Sequence, residues 1–253
     1  MCPASQIAPN GLRYRAIHLR AMPVSLQLLT QFPLLRTLQR EALEPLSQRM
    51  TLREFARRAM VVSKEEPSSG LGFLVDGRLQ GVDFTVDGRS VGLYFVEPGD
   101  YFGELPLVDG KPPSEYVVAA AKSTVAFVDS ATARELITRH PDLAQAVMRR
   151  LADRVRAVMA QRTLLSLPNP FQRLCALLLQ LPQRQTAGAA EVDQAPTHQE
   201  LAIMINASRE TVTRAFQVLF LRGILVREGN SLKLVNPQVL QNIAQGREEP
   251  PRA

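Results

Sequence analysis

The chain has few of the residues that build cross-linked or metal-bound proteins. Its 253 residues include two cysteines, Cys2 and Cys175, and no CxxC motif or Cys/His cluster. Two cysteines cannot form a disulfide framework, and the sequence contains no ligand set typical of zinc or iron–sulfur sites. We therefore expect a protein without a metal site.

Long apolar segments are missing as well. The longest apolar stretch, residues 174–181, is far shorter than the roughly 20 residues that a transmembrane helix needs. Residues 1–10 have neither the basic n-region nor the apolar h-region of a secretory signal. The sequence predicts a cytoplasmic protein that does not enter a membrane.

Motifs of common enzymes are also absent. The chain contains no HExxH and no Gly-rich phosphate loop. These absences favour a binding protein over an enzyme.

The residues that are present indicate a folded protein with an anionic partner. Hydrophobic residues make up 45% and charged residues 21% of the chain, which is typical of globular domains. Thirty Lys and Arg against 24 Asp and Glu leave a net charge of +6, and this excess favours a negatively charged partner. At about 150 residues per domain, the length suits one large domain or two modest ones.

The N-terminal half changes character near residue 70. Residues 1–24 are irregular and predict an arm, whereas apolar residues at helical spacing predict short helices within 26–58. Further on, alternating runs predict strands at residues 82–86, 91–96, 116–121 and 125–129. The turn dipeptides between the strands are Asp76-Gly77, Asp87-Gly88, Pro98-Gly99 and Asp109-Gly110. Short strands at such regular intervals predict a barrel or jelly roll over residues 25–140.

A long helix is predicted next, within residues 141–167. One stripe on it has spacings of 4, 3, 4, 3, 4 and 3 residues, the pattern of a coiled-coil seam. The stripe consists of Ala144, Met148, Leu151, Val155, Val158, Arg162 and Leu165. We expect a dimer interface here; the alternative is a long helix packed on its own barrel. Most of the flanking arginines are interpreted as a solvated face: Arg149, Arg150, Arg154 and Arg156.

Local capping signals divide the C-terminal part. Asn169 is a helix cap before Pro170, and residues 183–196 are predicted to be a loose connection. Thr197 and Glu200 form a capping box that starts another helix. Asn206 lies where the chain must turn, because Asn tolerates the left-handed conformation.

The next helix, residues 209–221 with Ser208 as its cap, has a polar outer face. Residues 224–227 and 232–235 then predict a hairpin, so that residues 168–240 form a winged helix-turn-helix and residues 241–253 a tail. Arg grips guanine bidentately and Glu accepts from the cytosine amino group. The predicted DNA contacts are Thr197, Gln199, Ser208, Arg209, Glu210, Thr213 and Arg214. The alternative is an amphipathic helix with ordinary solvated charges.

Residues 208–214, Ser-Arg-Glu-Thr-Val-Thr-Arg, closely resemble the S-R-E-T-V-x-R recognition helix of the cyclic-AMP receptor protein/FNR (CRP/FNR) family of bacterial transcription regulators. Gly103-Glu104-Leu105 is similar to the G-E-L of that family's cyclic-nucleotide pocket. Pro141-Asp142 and Asn169-Pro170 match in order and spacing, and the resemblance covers roughly residues 25–236.

The resemblance implies an α+β fold: a cyclic-nucleotide-binding-type β-roll (a jelly roll), a dimerisation helix and a C-terminal winged helix-turn-helix. It implies that Arg209, Glu210 and Arg214 read a GTGA-like half-site in an inverted repeat. The implied partners are double-stranded DNA, a second copy of the chain and RNA polymerase.

The pocket departs from the family pattern. Pro113 stands where the family's cyclic-AMP binders have the phosphate-binding arginine, Ser114 keeps its place, and Glu115 would repel a phosphate if it pointed inward. Val158 and Met159 align with the Thr-Ser pair that meets the adenine, and neither offers those hydrogen bonds. Each missing contact costs about 1–3 kcal/mol, so cyclic AMP is disfavoured.

The candidate pocket residues are Gly103, Glu104, Leu105, Lys111, Ser114, Val158 and Met159. Lys111 is a candidate replacement for the arginine, whereas Gly103 and Glu104 are interpreted first as a structural turn. Two cysteines cannot supply the four thiolate ligands of an FNR-like iron–sulfur cluster. The three histidines match no haem pattern: His18, His140 and His198.

Three interpretations of the effector stay open. The first is another ligand, such as cyclic di-GMP, for which Arg13, Arg15, Arg20, Arg53, Arg57 and Arg58 are available. The second is no ligand, and the third an unrelated molecule or protein that acts on the roll. The alternative function is a signalling module that acts on a protein partner without specific DNA binding.

Overall fold

The computed structural model describes residues 16–17, 24–186 and 189–251. These residues divide into two compact units, one up to Val155 and the other from Arg156 onward. Most of the predicted arm, residues 1–24, lies outside the described residues. No helix within the described ranges is long and apolar enough to cross a membrane.

Two antiparallel sheets form the β-roll of the first unit. Its strands are β1 Ala16–Ile17, β2 Thr51–Phe55, β3 Met60–Val62, β4 Leu71–Asp76, β5 Leu79–Phe84, β6 Ser90–Val96, β7 Tyr101–Phe102, β8 Tyr116–Ala119 and β9 Ser123–Val128. One sheet has the order β1-β2-β9-β4-β7 and the other the order β3-β8-β5-β6. A core of buried side chains from both sheets, including Leu74, Leu79 and Phe127, lies between them. This architecture confirms the predicted roll.

The roll strands follow from alternation and turns. β8 alternates half-buried and buried residues, as a strand with one face on a core must. The glycines of the four predicted turns have positive φ, from 71° to 91°, which a Cβ would disfavour.

The prediction of helices throughout residues 26–58 is wrong in its last part. β2 pairs with β9 over five residues, from Thr51↔Phe127 to Phe55↔Ser123. Strand partners far away in the sequence outweigh the local helical spacing there.

Helices cover the outer face of the five-stranded sheet. They are α1 Leu26–Leu29, α2 Arg40–Arg49, α4 Ser130–Arg139 and the start of α5 Pro141–Ser166, while α3 Glu104–Asp109 follows β7. A second core joins them to the sheet, with Phe32, Phe73 and Leu143 each about 1% exposed. Because α5 contributes Leu143 and Val147 to this core, one of its faces belongs to the roll.

The second unit is a winged helix-turn-helix. Its elements are α6 Pro170–Gln180, β10 Arg184–Thr186, β11 Ala189–Val192, α7 His198–Met204, α8 Arg209–Leu221, β12 Leu225–Glu228, β13 Ser231–Leu234 and α9 Pro237–Ala244. The predicted Asn169 cap is confirmed, since its side chain accepts from the Phe171 N–H at 2.8 Å.

Residues 183–196 are not the loose connection that their composition predicts. β10 and β11 pair with each other, and β11 pairs with β13, which extends the wing to the order β10-β11-β13-β12. α9 runs through the predicted boundary at residue 240, and Leu240 and Ile243 are fully buried. Backbone pairing and packing, which composition does not reveal, therefore order both segments.

Candidate DNA-binding face and effector pocket

The first helix of the helix-turn-helix is held by reciprocal capping. Thr197 Oγ1 accepts from the Glu200 N–H at 3.3 Å, and a Glu200 carboxylate oxygen accepts from the Thr197 N–H at 2.5 Å. The predicted capping box is therefore confirmed. Gln199 is exposed beside it.

The turn and the second cap also agree with the sequence prediction. Asn206 has φ +49°, and the Ala207 N–H donates to the Ala202 carbonyl at 3.0 Å. Ser208 Oγ then accepts from the Thr211 N–H at 3.1 Å, so that α8 starts at residue 209 as predicted. Local hydrogen bonds alone set where this helix begins.

One face of α8 is buried and the other is open. The buried face includes Val212, Ala215, Phe216 and Leu219. Arg209, Glu210 and Arg214 are exposed, and no salt bridge among the described residues engages them. Hydrogen bonds from its own backbone N–H and from the Ser208 hydroxyl lower the pKa of Glu210, which keeps its carboxylate an acceptor. The outer face therefore carries donor, acceptor and donor groups toward solvent.

Thr213 is placed differently from the other predicted contacts. Its hydroxyl donates to the Arg209 carbonyl at 2.9 Å and lies 2.9 Å from Nδ1 of His198. The Thr213 side chain is half-buried. Through these two contacts its hydroxyl connects α7 and α8. The sequence analysis found only that His198 matches no haem pattern, and it did not predict this contact.

In the first unit, the predicted effector pocket is nearly filled. Its cavity is about 10 Å³, room for roughly one water molecule. Of the predicted residues, Gly103, Glu104, Leu105 and Ser114 line the cavity, together with Pro113 and Glu115. Lys111 instead lines a neighbouring surface groove. Val158 and Met159 are 65% and 63% exposed on α5 and do not line the cavity.

An arginine from α5 occupies the pocket. Arg154 Nε lies 2.7 Å from Glu104 Oε1, and Arg154 Nη1 lies 3.4 Å from Glu115 Oε1. Its guanidinium carbon is 4.0 Å from the centroid of the Tyr94 ring. The side chain is 17% exposed, so the interpretation of Arg154 as part of a solvated face is wrong.

The spacing of α5 contains the signal that would have found Arg154. Leu143, Val147, Arg150 and Arg154 are separated by 4, 3 and 4 residues, so they lie on one face of the helix. The first two are buried in the roll core. A charged residue that continues a buried stripe must point toward the roll as well.

The pocket carries more negative than positive charge. Glu104 is fully buried; burial raises the pKa of its carboxyl, and the charge of Arg154 opposes that rise. Glu115 points inward, where the Tyr94 hydroxyl donates to it at 2.7 Å and the Ser114 hydroxyl also bonds to it. Two carboxyl groups, Glu104 and Glu115, and one guanidinium, Arg154, therefore line the cavity.

The predicted seam of α5 has exposed members. Met148, Val155 and Val158 are 61%, 55% and 65% exposed, although all three are apolar. Leu151 and Leu165 are half-buried, Leu151 against the roll core, and Arg162 is exposed. Packing on the chain's own barrel thus accounts for the face with Leu143, but it leaves the seam uncovered.

Comparison with known proteins agrees with both units. The model of the cyclic nucleotide-binding domain matches residues 52–140, and that of the Crp-like helix-turn-helix domain matches residues 172–243. The chain is 27% identical over 217 residues to the CRP-like cAMP-activated global transcriptional regulator of Mycobacterium tuberculosis, covering 85% of this chain and 97% of that protein.

Solved structures agree as well. FixK2 from Bradyrhizobium japonicum superposes with a TM-score of 0.66 at 23% identity, covering 77% of this chain and 96% of FixK2. A transcriptional regulator of the CRP family from Thermus thermophilus has a TM-score of 0.57 at 26% identity, covering 76% of this chain and 96% of that one. The chain therefore belongs to the CRP/FNR family of DNA-binding transcription regulators, with a cyclic-nucleotide-binding-type domain followed by a helix-turn-helix domain.

Proposed function

We propose that this protein is a homodimeric regulator that reads a GTGA-like inverted repeat without cyclic AMP as its effector. It is a regulator and not an enzyme, and it acts in the cytoplasm on DNA and RNA polymerase. The observation that carries this proposal is the exposed row of Arg209, Glu210 and Arg214 on a capped helix.

The residue types of this row match base edges. A guanidinium donates to O6 and N7 of guanine, and a carboxylate accepts from N4 of cytosine. Recognition helices contact bases with their N-terminal residues, where Arg209 and Glu210 lie. Thr197, Gln199 and Ser208 lie at helix N-termini and remain proposed phosphate contacts. Such contacts orient a protein on DNA without reading its sequence.

A second copy of the chain would cover the exposed seam on α5. An inverted repeat requires a two-fold dimer whose recognition helices are about one DNA turn apart. Met148, Val155 and Val158 are apolar, mostly exposed and spaced as in a heptad repeat. The parallel α5 helix of a second copy would bury them.

The pocket supports regulation that does not depend on cyclic AMP. Arg154 takes up the space between Glu104 and Glu115, and Pro113 contributes neither a charge nor an N–H. The charge balance also weighs against the other anionic ligands considered, including cyclic di-GMP. Of the open interpretations, binding to DNA without a ligand therefore has the most support.

The DNA contact of Arg209 can be tested by Arg209→Ala. The substitution should cost about 1–3 kcal/mol on a GTGA inverted repeat and relax the preference at one base pair, because a bidentate guanine contact is lost. Gel shifts on specific and random duplexes measure this, with Arg222→Ala at the far end of α8 as control. If random DNA loses as much affinity, Arg209 does not read bases. If the wild type shifts no duplex at low salt, the partner-binding module is favoured.

The dimer seam can be tested by Val158→Asp. A carboxylate buried in the seam should weaken dimerisation. Ala160→Asp is the control, since residue 160 lies about 200° around the helix from residue 158. In sedimentation at low concentration, Val158→Asp should have the mass of a monomer, whereas Ala160→Asp should keep the mass of a dimer. An unchanged dimer mass for both variants would dismiss the seam.

The role of Arg154 can be tested by Arg154→Leu, which leaves Glu104 buried without a counter-charge. Loss of one partner of a buried pair costs about 3–5 kcal/mol. The loss should be smaller at pH 5 than at pH 8, because the raised pKa of Glu104 favours its neutral form as pH falls. Urea unfolding followed by tyrosine fluorescence measures it, since the chain has no tryptophan.

Two controls accompany this substitution. Arg149→Leu changes an exposed arginine on the same helix and should leave unfolding unchanged. Adding Glu104→Gln to Arg154→Leu should recover part of the loss, since an amide needs no counter-charge. Equal losses at pH 5 and pH 8 would contradict the pairing.

The effector is tested by parallel calorimetric titrations with cyclic AMP, cyclic GMP and cyclic di-GMP. We expect no saturable heat from any of them and an unchanged affinity for DNA in their presence. Tight binding of cyclic AMP would overturn the proposal for the pocket. Binding of cyclic di-GMP that raises DNA affinity would replace it with a retuned ligand site.

A further inference from the structure

His198 lies where the helix-turn-helix elements meet. It is the first residue of α7, and its ring stacks on Phe216 of α8 with centroids 4.6 Å apart and planes 13° apart. Its Nδ1 is 2.9 Å from Thr213 Oγ1. Because the Thr213 hydroxyl donates to the Arg209 carbonyl, its oxygen is free to accept from Nδ1–H of His198.

This geometry leaves Nε2 as the nitrogen that can gain a proton. Within the residues that the structure describes, no hydrogen bond to Nε2 occurs, and the side chain is only half-buried. Neutral imidazole carries one proton, which the contact with Thr213 places on Nδ1. Protonation therefore adds a positive charge and a new donor without breaking the contact between the helices.

The charged groups that face His198 come from two other elements. Arg209 on α8 and Arg227 on the wing strand β12 both oppose a positive charge on the ring. On α7 itself, Glu200 is buried and committed to the capping box. Burial first, and then the two arginines, hold the pKa of His198 below its usual value of 6.5.

A bound DNA strand would bring negative phosphate charge close to the positive charges that surround His198. The first helix of a helix-turn-helix crosses the sugar–phosphate backbone while the second enters the major groove. His198 is on the first helix, and the charges of Arg209 at the start of the second helix and of Arg227 on the wing act on its ring. A phosphate near these three groups neutralises the repulsion between them and favours the imidazolium form.

We propose that His198 contacts a backbone phosphate through protonated Nε2, so that each subunit takes up a proton on binding DNA. This inference rests on the proposed DNA-binding function. Affinity then rises as pH falls from about 8 to about 5.5, the range in which histidine titrates. Below the pKa of the free protein both states are protonated, and the gain levels off.

The pKa values of two other ionisable groups near α8 are shifted away from this range. The pKa of Glu210 is lowered from an already acidic value, and burial raises the pKa of Cys175 to about 12. His140, in the first unit, provides a matched control.

The experiment is a pH series of fluorescence anisotropy on the full-length protein at constant ionic strength. The probes are a GTGA inverted-repeat duplex and a scrambled duplex. For a rise of one pKa unit, Kd should fall up to tenfold per subunit between pH 8 and pH 5.5. Both duplexes should respond, because a phosphate contact carries no sequence information. The dependence of log Kd on log salt should also steepen by about 0.9 per subunit at the lower pH.

His198→Asn keeps an amide donor for Thr213 but cannot titrate, and its pH profile should be flat. His140→Gln should keep the wild-type profile. A flat wild-type profile with intact specific binding overturns the inference alone, as does a wild-type slope in His198→Asn. Failure to bind either duplex at any pH overturns the proposed function and the inference with it.

A direct measurement does not depend on the folding of the variant. In the wild type labelled with ¹³C-histidine, the Cε1–H signal that is missing in His198→Asn or His198→Gln reports the pKa of His198. This pKa should lie below 6.5 in the free protein, and it should be higher with DNA. Equal values in the two states would overturn the proposal.

Discussion

The ion pair between Arg154 and Glu104 is the interaction on which the first unit depends, because it joins α5 to the β-roll. Glu104 is fully buried at the start of α3, and a carboxylate in that position needs a positive partner. Arg154 supplies it at 2.7 Å and holds Glu115 as well, which attaches α5 to the roll. The same side chain lines the cavity with Gly103 and Ser114, so the ion pair that joins α5 to the roll also takes up space in the predicted effector pocket.

The helix-turn-helix of the second unit depends on hydrogen bonds between residues that are close in the sequence. The capping box, the left-handed Asn206 and the Ser208 cap set the position of α8 before any packing is considered. The contact between His198 and Thr213 then ties the two helices together across fifteen residues of sequence. Under the proposed function, this pair of helices presents the exposed side chains of α8 to base edges with little further loss of entropy.

Predictability differed between elements, according to whether the signals that form them are local in the sequence. The bounds of α8 were correct from the sequence, because capping residues and an apolar stripe lie within one segment. β2 and β11 were missed, because β9 and β13, with which they pair, lie far away in the sequence. β10 pairs with its neighbour β11, and its own residues carry a weak strand signal. Four of the seven predicted pocket residues line the cavity. Gly103, Glu104, Leu105 and Ser114 line it, whereas Lys111 does not, and Arg154 was overlooked.

Local sequence was enough to establish the roll, the long helix and the winged helix-turn-helix, since period, caps and turn residues act over a few positions. Its resemblance to the family also placed Pro113 where the cyclic-AMP binders have the phosphate-binding arginine. Only the folded chain decided that Arg154 enters the pocket and that His198 meets Thr213. A charged or ionisable side chain can face water or a partner with the same local pattern, and the choice depends on which groups distant segments bring within hydrogen-bonding distance.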